Sequence, residues 1–303
     1  MRIAITGGAG FIGSHMADCF SRQGEDILIL DDFSSGRMQN LKELEGRAKV
    51  VKTDIRGDLA GLLKGADAVF HFAADPDARQ SAENPESCFD INVRGTLSVL
   101  ESCRKADVKR IVFASTSAVY GADSALPSRE DFPCAPSSNY GASKLACEGY
   151  LSSYSSSYGI KSTVLRLANI IGERSTHGVV FDFFKKLKSN PNELEILGNG
   201  KQSKSYLHVS DCISAAMVAF RAQKKNYDVF NVGSREQATV DEIARKICKI
   251  LGVAPKFAYT GGLQGWKGDN YLMMLDNSKI MGLGWEQKVD FDEAIRRHLA
   301  WLE

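Results

Sequence analysis

Proline is scarce in this 303-residue chain, seven residues against 27 glycines, and no Pro-rich or Ser/Gly-rich stretch reads as a linker. There is no internal repeat and no low-complexity run beyond Ser152–Ser157. No apolar run approaches 18 residues, so no transmembrane helix is expected. A basic surplus is also lacking: Lys+Arg number 38 against 37 Asp+Glu, a net charge of +1. That balance argues against a general nucleic-acid binder or an electrostatic membrane binder, since both need a basic excess. None of the seven cysteines lies in a Cys-x-x-Cys, and their spacing matches no zinc module, so no metal site is expected. They read as reduced apolar fillers of a cytoplasmic protein. Met1 leads straight into Ile3–Ile5 without the cationic lead and cleavage site of a signal peptide. The length suffices for a full core without disulfides or metals, as one large or two medium domains.

What is present is alternation. Short β-branched runs at Arg2–Thr6, Ile27–Leu30, Val50–Lys52, Ala68–Phe72, Arg110–Ala114 and Ser162–Leu167 read as strands. Between them, Phe11–Gln23, Cys88–Lys105 and Tyr140–Tyr158 carry helical spacing. Repeated strand–helix alternation predicts an α/β fold, a doubly wound parallel sheet with helices on both faces. After about residue 168 the pattern loosens into a smaller mixed α/β lobe. The expected division is residues 1–168 with about 205–233 in the parallel-sheet domain, and about 169–204 with 234–303 in the smaller lobe. Tyr150, Tyr154 and Tyr158 recur every fourth residue, which reads as a packing stripe.

The first strand runs into Thr6-Gly7-Gly8-Ala9-Gly10-Phe11-Ile12-Gly13 and then a helix. The glycines permit a tight turn, close backbone approach to a pyrophosphate and close helix–strand packing; the helix N-terminus faces the anion. Such a motif alone is weak, but here Asp31-Asp32 also ends the next strand. A carboxylate there accepts hydrogen bonds from a ribose and repels a 2′-phosphate, which favours NAD over NADP, although Arg37 nearby could pair with a phosphate.

Tyr140-Gly141-Ala142-Ser143-Lys144 opens a helix and sets a phenol and an ammonium on one face. A nearby ammonium favours the phenolate, which can serve as general base towards a hydroxyl. Ser115-Thr116-Ser117 lies at the carboxyl end of a strand, where ligands sit in doubly wound sheets.

With these motifs, and with Asp54-Ile55-Arg56, His71-Phe72-Ala73-Ala74, Asn92–Thr96, Leu165–Asn169 and Gly198–Gln202, the chain resembles the extended short-chain dehydrogenase/reductases. Within them it is most similar to the NAD-dependent sugar-nucleotide epimerase/dehydratase group, over nearly its whole length. The resemblance implies NAD held by Gly7, Gly10, Phe11, Ile12, Gly13, Asp31, Asp32, Ser34, Ser35, Gly36, Asp54, Ile55, Phe72, Ala73, Ala74, Asn92, Ser115, Tyr140 and Lys144. It implies Thr116 as the catalytic hydroxyl, Tyr140 as the base and Lys144 as the ribose anchor. Asn169, His177, Val180, Lys204 and Asp269, together with Thr116, would meet the substrate. Lys204 stands where the group usually has an arginine. Trp266 replaces another, for which Arg174 or Lys267 could compensate. Met273 falls where the group tunes room for an N-acetyl substituent, or else packs in the core. His208 reads as structural.

Dehydratases of the group resemble Thr-Asp-Glu after the catalytic threonine; here Ser117-Ala118 follows Thr116. The resemblance therefore implies C4 epimerisation of a UDP-hexose through a 4-keto intermediate. Other sugar-nucleotide chemistry stands as the alternative: UDP-N-acetylhexosamine or UDP-uronate epimerisation, dehydration or reduction. A non-catalytic dinucleotide sensor is the third reading. A homodimer through the helices Cys88–Lys105 and Tyr140–Tyr158 is implied in the same way.

Overall fold

The computed structural model describes the chain from Met1 to Glu303 apart from Lys267. Its strands are β1 (Arg2–Thr6), β2 (Asp26–Asp31), β3 (Ala48–Lys52), β4 (Ala68–His71), β5 (Arg110–Thr116), β6 (Lys161–Leu167), β7 (Asn169–Ile171), β8 (Glu193–Ile196), β9 (Ser203–His208), β10 (Tyr227–Val232), β11 (Gln237–Thr239), β12 (Lys256–Tyr259) and β13 (Leu272–Met273). The long helices are α1 (Phe11–Arg22), α2 (Gly95–Lys105), α3 (Asn139–Tyr158), α4 (Val179–Ser189), α5 (Val209–Ala222), α6 (Val240–Leu251) and α7 (Phe291–Leu302).

Period-two alternation builds the main sheet. Ile3 and Ile5 enter one core with Ile27, Ile29 and Phe70, while Ala4 enters the opposite core with Leu28, Leu30 and Val69. Both faces are covered, so β1 is apolar on both sides. Burying one such isoleucine contributes roughly 1.5–3 kcal/mol. The sheet is wholly parallel, in the order β3-β2-β1-β4-β5-β6-β10. Strand order reverses between β1 and β4, and a doubly wound sheet binds ligands in the crevice at such a point.

A second sheet is built on β9, which pairs with β11, β13 and β7. Strand β9 thus leaves the main sheet, although the sequence pattern groups 205–233 with it. Helix α5 does pack on the main core, through Cys212, Ala216 and Phe220, and β10 forms the sheet's edge. A separate core gathers Phe183, Ile196, Ile243, Ile247 and Ile295.

Two further expectations shift. The run Cys88–Lys105 is not one regular helix: Pro85–Phe89 passes through a π turn, Asp90–Arg94, into α2. The tyrosine stripe also divides. Tyr154 is buried and donates to Glu101, whereas Tyr150 and Tyr158 are exposed. No helix among the described residues is long and apolar enough to cross a membrane.

Candidate active site

The glycine loop leaves β1 at the switch point. A Cβ on Gly7 would stand 2.5 Å from Ala73 N, and one on Gly13 only 2.1 Å from Gly7 O. These two glycines let the β1 and β4 ends and the start of α1 close on one another. Gly10 caps α1 with no side-chain hydrogen bond, and the first turn holds no acidic residue. Phe11, Ile12 and Gly13 therefore present first-turn N–H groups that no side chain caps, which suits a pyrophosphate.

Asp31 is buried and binds this loop to β2. Its Oδ2 accepts from Ala9 N at 2.9 Å and its Oδ1 from Phe33 N at 2.8 Å. Burial raises its pKa against the pull of those two N–H groups. Asp32 is exposed, and its Oδ1 accepts from Ser34 N and Oγ. Ser35 and Arg37 are exposed, and Gly36 folds back so closely that a Cβ would stand 2.5 Å from Asp31 Oδ1. Asp54 is held by Arg56, which also reaches Asp90 in the π turn. Ile55 is buried beside it, and Phe72 and Ala73 follow the central strand β4 and pack against the cores on its two faces, with Ala74 next in the chain.

The catalytic candidates meet at the carboxyl end of β5. Thr116 closes that strand, and its Oγ1 accepts from Ala118 N at 3.1 Å. Tyr140 lies in the first turn of α3, which Ser138 caps through Gly141 N. Burial raises the Tyr140 phenol above its ordinary range, and the neighbouring Thr116 hydroxyl pulls the other way. Lys144 is 3% exposed; its Nζ donates to Ala114 O at 2.9 Å and lies 4.7 Å from the Phe113 ring centroid. Burial draws its pKa down to about 8. The sequence predicts that the ammonium lowers the phenol; in the folded chain desolvation dominates both groups.

Asn92 explains the π turn. Its Oδ1 accepts from Asp75 N at 2.8 Å, and its Nδ2 donates to Asp75 O and to Ser143 Oγ, both at 3.0 Å. The turn carries this buried amide to α3, one residue before Lys144. The Ser115 hydroxyl, expected at the cofactor, donates to Glu148 in the interior.

On the substrate side, Lys204 and Asp269 are joined by an ion pair. Asn169 lies on β7, with Nδ2 3.4 Å from Ser205 O. His177 sets its ring edge-on to Phe11, 6.3 Å between centroids, at the mouth of the glycine loop. Val180 departs from its expected role: its side chain is 1% exposed and packs in the separate core with Phe183 and Ile243. Arg174 does not compensate for Trp266, because it pairs with Asp18 of α1 at 2.7 Å. Lys267, the other candidate, lies outside the described residues. Met273 is buried with Val119, Ala168 and Leu275. His208 caps α5 and reaches Glu173 at 3.1 Å, a structural place as expected.

Sequence reasoning passed over Ser81 and Glu148, and gave no role to Arg166 within the Leu165–Asn169 motif. Ser81 Oγ accepts from Tyr140 N at 3.1 Å, satisfying an orphan first-turn donor of α3. Nothing local in the sequence signals that contact. Glu148 stands four residues after Lys144 on the same helix face, a spacing that could have drawn notice.

Residues 3–233 match the family described as the NAD dependent epimerase/dehydratase family. A putative UDP-glucose 4-epimerase of Methanocaldococcus jannaschii is 36% identical over 309 residues, covering 99% of this chain and 98% of that protein. The solved UDP-glucose 4-epimerase of Thermus thermophilus, in complex with NAD, superposes with a TM-score of 0.90 at 33% identity, over 99% of this chain and 98% of that one. A UDP-N-acetylglucosamine 4-epimerase of Methanobrevibacter ruminantium gives a TM-score of 0.91 at 29% identity, over 99% and 97%. Likeness along the full length, and not at the glycine loop alone, places the chain in the NAD dependent epimerase/dehydratase family, with NAD as its cofactor.

Proposed function

We propose that the chain epimerises C4 of a UDP-hexose, interconverting UDP-glucose and UDP-galactose. One observation carries the reading: Thr116 closes β5 where the first turn of α3 brings Tyr140 and the buried Lys144, whose Nζ donates to Ala114 O of the same strand, and neither Ser117 nor Ala118 offers the carboxylate that dehydration needs. Likeness to proteins named UDP-glucose 4-epimerase supports it.

When bound, NAD would supply a hydride acceptor and then a hydride donor at the sugar C4, the 4-keto sugar turning its other face between the two so that the configuration inverts. The glycine loop and α1 would hold the cofactor's pyrophosphate with backbone N–H groups. Tyr140 takes the proton of the 4-hydroxyl, and Thr116 holds that oxygen in line by a hydrogen bond. Lys144 supplies a buried positive charge within the same cleft and orients the ribose hydroxyls. Any positive charge brought beside the phenol lowers its pKa, so the base forms in the filled cleft. Asn169 and Lys204 meet the diphosphate, and Asp269 fixes Lys204 and the nucleotide end.

The test is to incubate the purified protein with UDP-glucose, UDP-galactose and their N-acetyl forms without added NAD, reading products by NMR. A 4-epimer without net NADH supports the proposal; net NADH or a 4-keto-6-deoxy product overturns it. Tyr140→Phe should lower kcat by about 10²–10⁴-fold while keeping bound NAD. Epimerisation of UDP-N-acetylhexosamine is the second reading, favoured by the likeness to the Methanobrevibacter ruminantium enzyme, and the N-acetyl arms of the assay decide it. We infer a homodimer through Pro85–Phe89, α2 and α3, whose Phe89, Tyr150 and Tyr158 are exposed; light scattering checks it. Seven free cysteines suit a reducing cytoplasm.

A further inference from the structure

We propose that Ser115, Glu148 and Arg166 form a buried positioning chain that sets Thr116 against Tyr140 and Lys144. The inference rests on the roles given above to Thr116, Tyr140 and Lys144. Ser115 precedes Thr116 on β5, and successive strand residues point to opposite faces. Its hydroxyl turns inward and donates to Glu148 Oε1. Glu148 lies on α3, on the face that carries Tyr140 and Lys144 two turns and one turn earlier. Arg166, the register partner of Ser115 on β6, donates from Nε at 3.1 and 3.2 Å and from Nη2 at 2.7 Å to the Glu148 carboxylate. Its Nη1 donates to the Tyr120 hydroxyl at 2.9 Å and to Glu130 O at 3.2 Å; Tyr120 in turn donates to Asn231 at 2.7 Å. Ser115, Glu148 and Arg166 are at most 5% exposed.

A buried ion pair adds little net stability over apolar residues of the same volume. Apolar packing could hold α3 on the sheet. It could not fix the helix in height and rotation as directional hydrogen bonds do. The chain joins three elements beside the reacting groups: β5, α3 and β6. Tyr140 must lie within hydrogen-bond reach of the substrate hydroxyl, and a displacement of about 1 Å costs about 10²-fold in rate.

Ser115→Ala cuts the link at β5 and leaves Glu148 fully paired with Arg166. The expected result is a fall in kcat of about tenfold or more with KM for the UDP-sugar within about twofold. NAD content and the circular dichroism melt should stay near wild type. Ser115→Thr, which restores the hydroxyl, should recover kcat. A Ser115→Ala enzyme with wild-type kcat, a fall carried equally by KM, or a folded Ser115→Thr without recovery overturns the proposal. Should Ser115→Ala fail to fold, Ser115→Gly, which removes the same donor and leaves the Glu148–Arg166 pair intact, should give the same kcat-against-KM split, and its absence overturns the proposal. Tyr140→Phe is run beside them. If it turns over like wild type, the assignment of the base fails; if it is dead and Ser115→Ala is normal, only the positioning chain fails.

Discussion

Lys204 of β9 and Asp269, which precedes β13, are joined as an ion pair, the lysine side chain 19% exposed and the aspartate 5%. The second carboxylate oxygen accepts from Gly265 N at 3.2 Å. Lys204→Met strands a buried carboxylate, a loss of about 1–3 kcal/mol. Thermal melts should show it, and KM for the UDP-sugar should rise about tenfold with kcat little changed. Adding Asp269→Asn should restore the melt and leave KM high, because the stranded charge is gone and the phosphate contact is not replaced.

Gly10 and Gly13 separate fold from ligand binding. A Cβ on Gly10 lies 3.2 Å from Gly7 O, tight but tolerable, whereas one on Gly13 lies 2.1 Å from the same atom. Gly10→Ala should melt within a few degrees of wild type yet purify with little NAD, since its methyl blocks approach of the pyrophosphate. Gly13→Ala should also lose about 1–3 kcal/mol of stability from overpacking. Denaturant curves and the NAD released on unfolding check both.

Lys144 works at the expense of stability. Its folded pKa of about 8 lies below the ordinary 10.5, because burial disfavours the charge. Between those values the unfolded chain binds more protons, so stability rises with pH through that window and the penalty is full below pH 8. Lys144→Met should therefore be inactive and, at pH 7, more stable by about 2 kcal/mol after the lost bond to Ala114 O is counted. The gain should shrink from pH 8 towards 10.5, as followed by urea titration at each pH.

His71 makes the chain acid-sensitive. It is wholly buried, bonded to Thr6 Oγ1 at 2.6 Å and Thr96 Oγ1 at 3.0 Å, and burial pushes its pKa down to about 3. The unfolded chain binds more protons below pH 6.5, so stability falls as pH drops from 6.5 towards 3. By pH 4 the loss from this residue should reach on the order of 3 kcal/mol. His71→Gln should be less stable at pH 7 and show a shallower decline in acid; wild-type slope in that variant counts against the assignment.

Local chemistry made much of this protein legible from its sequence. Strand–turn–helix with glycines at set spacing, and an acidic residue ending the next strand, needs only neighbouring residues to be read. The same holds for Tyr140 and Lys144, one helical turn apart. The helix pattern over Cys88–Lys105 hid the π turn, because the amide that it serves, Asn92, bonds to Asp75 and Ser143, both far along the chain. Ser115 drew a cofactor role from its position, yet its partner Glu148 lies 33 residues away.

The sequence by itself determined the parallel sheet, the glycine loop and the set of groups at the end of β5, since periodicity and motif spacing act over a few residues. Only the tertiary structure decided that β9 joins the second sheet, that Val180 and Met273 are core residues, that Arg174 belongs to Asp18, and that burial outweighs Lys144 in setting the Tyr140 phenol. Those outcomes turn on desolvation and on pairing between distant segments, and neither exists until the chain has packed.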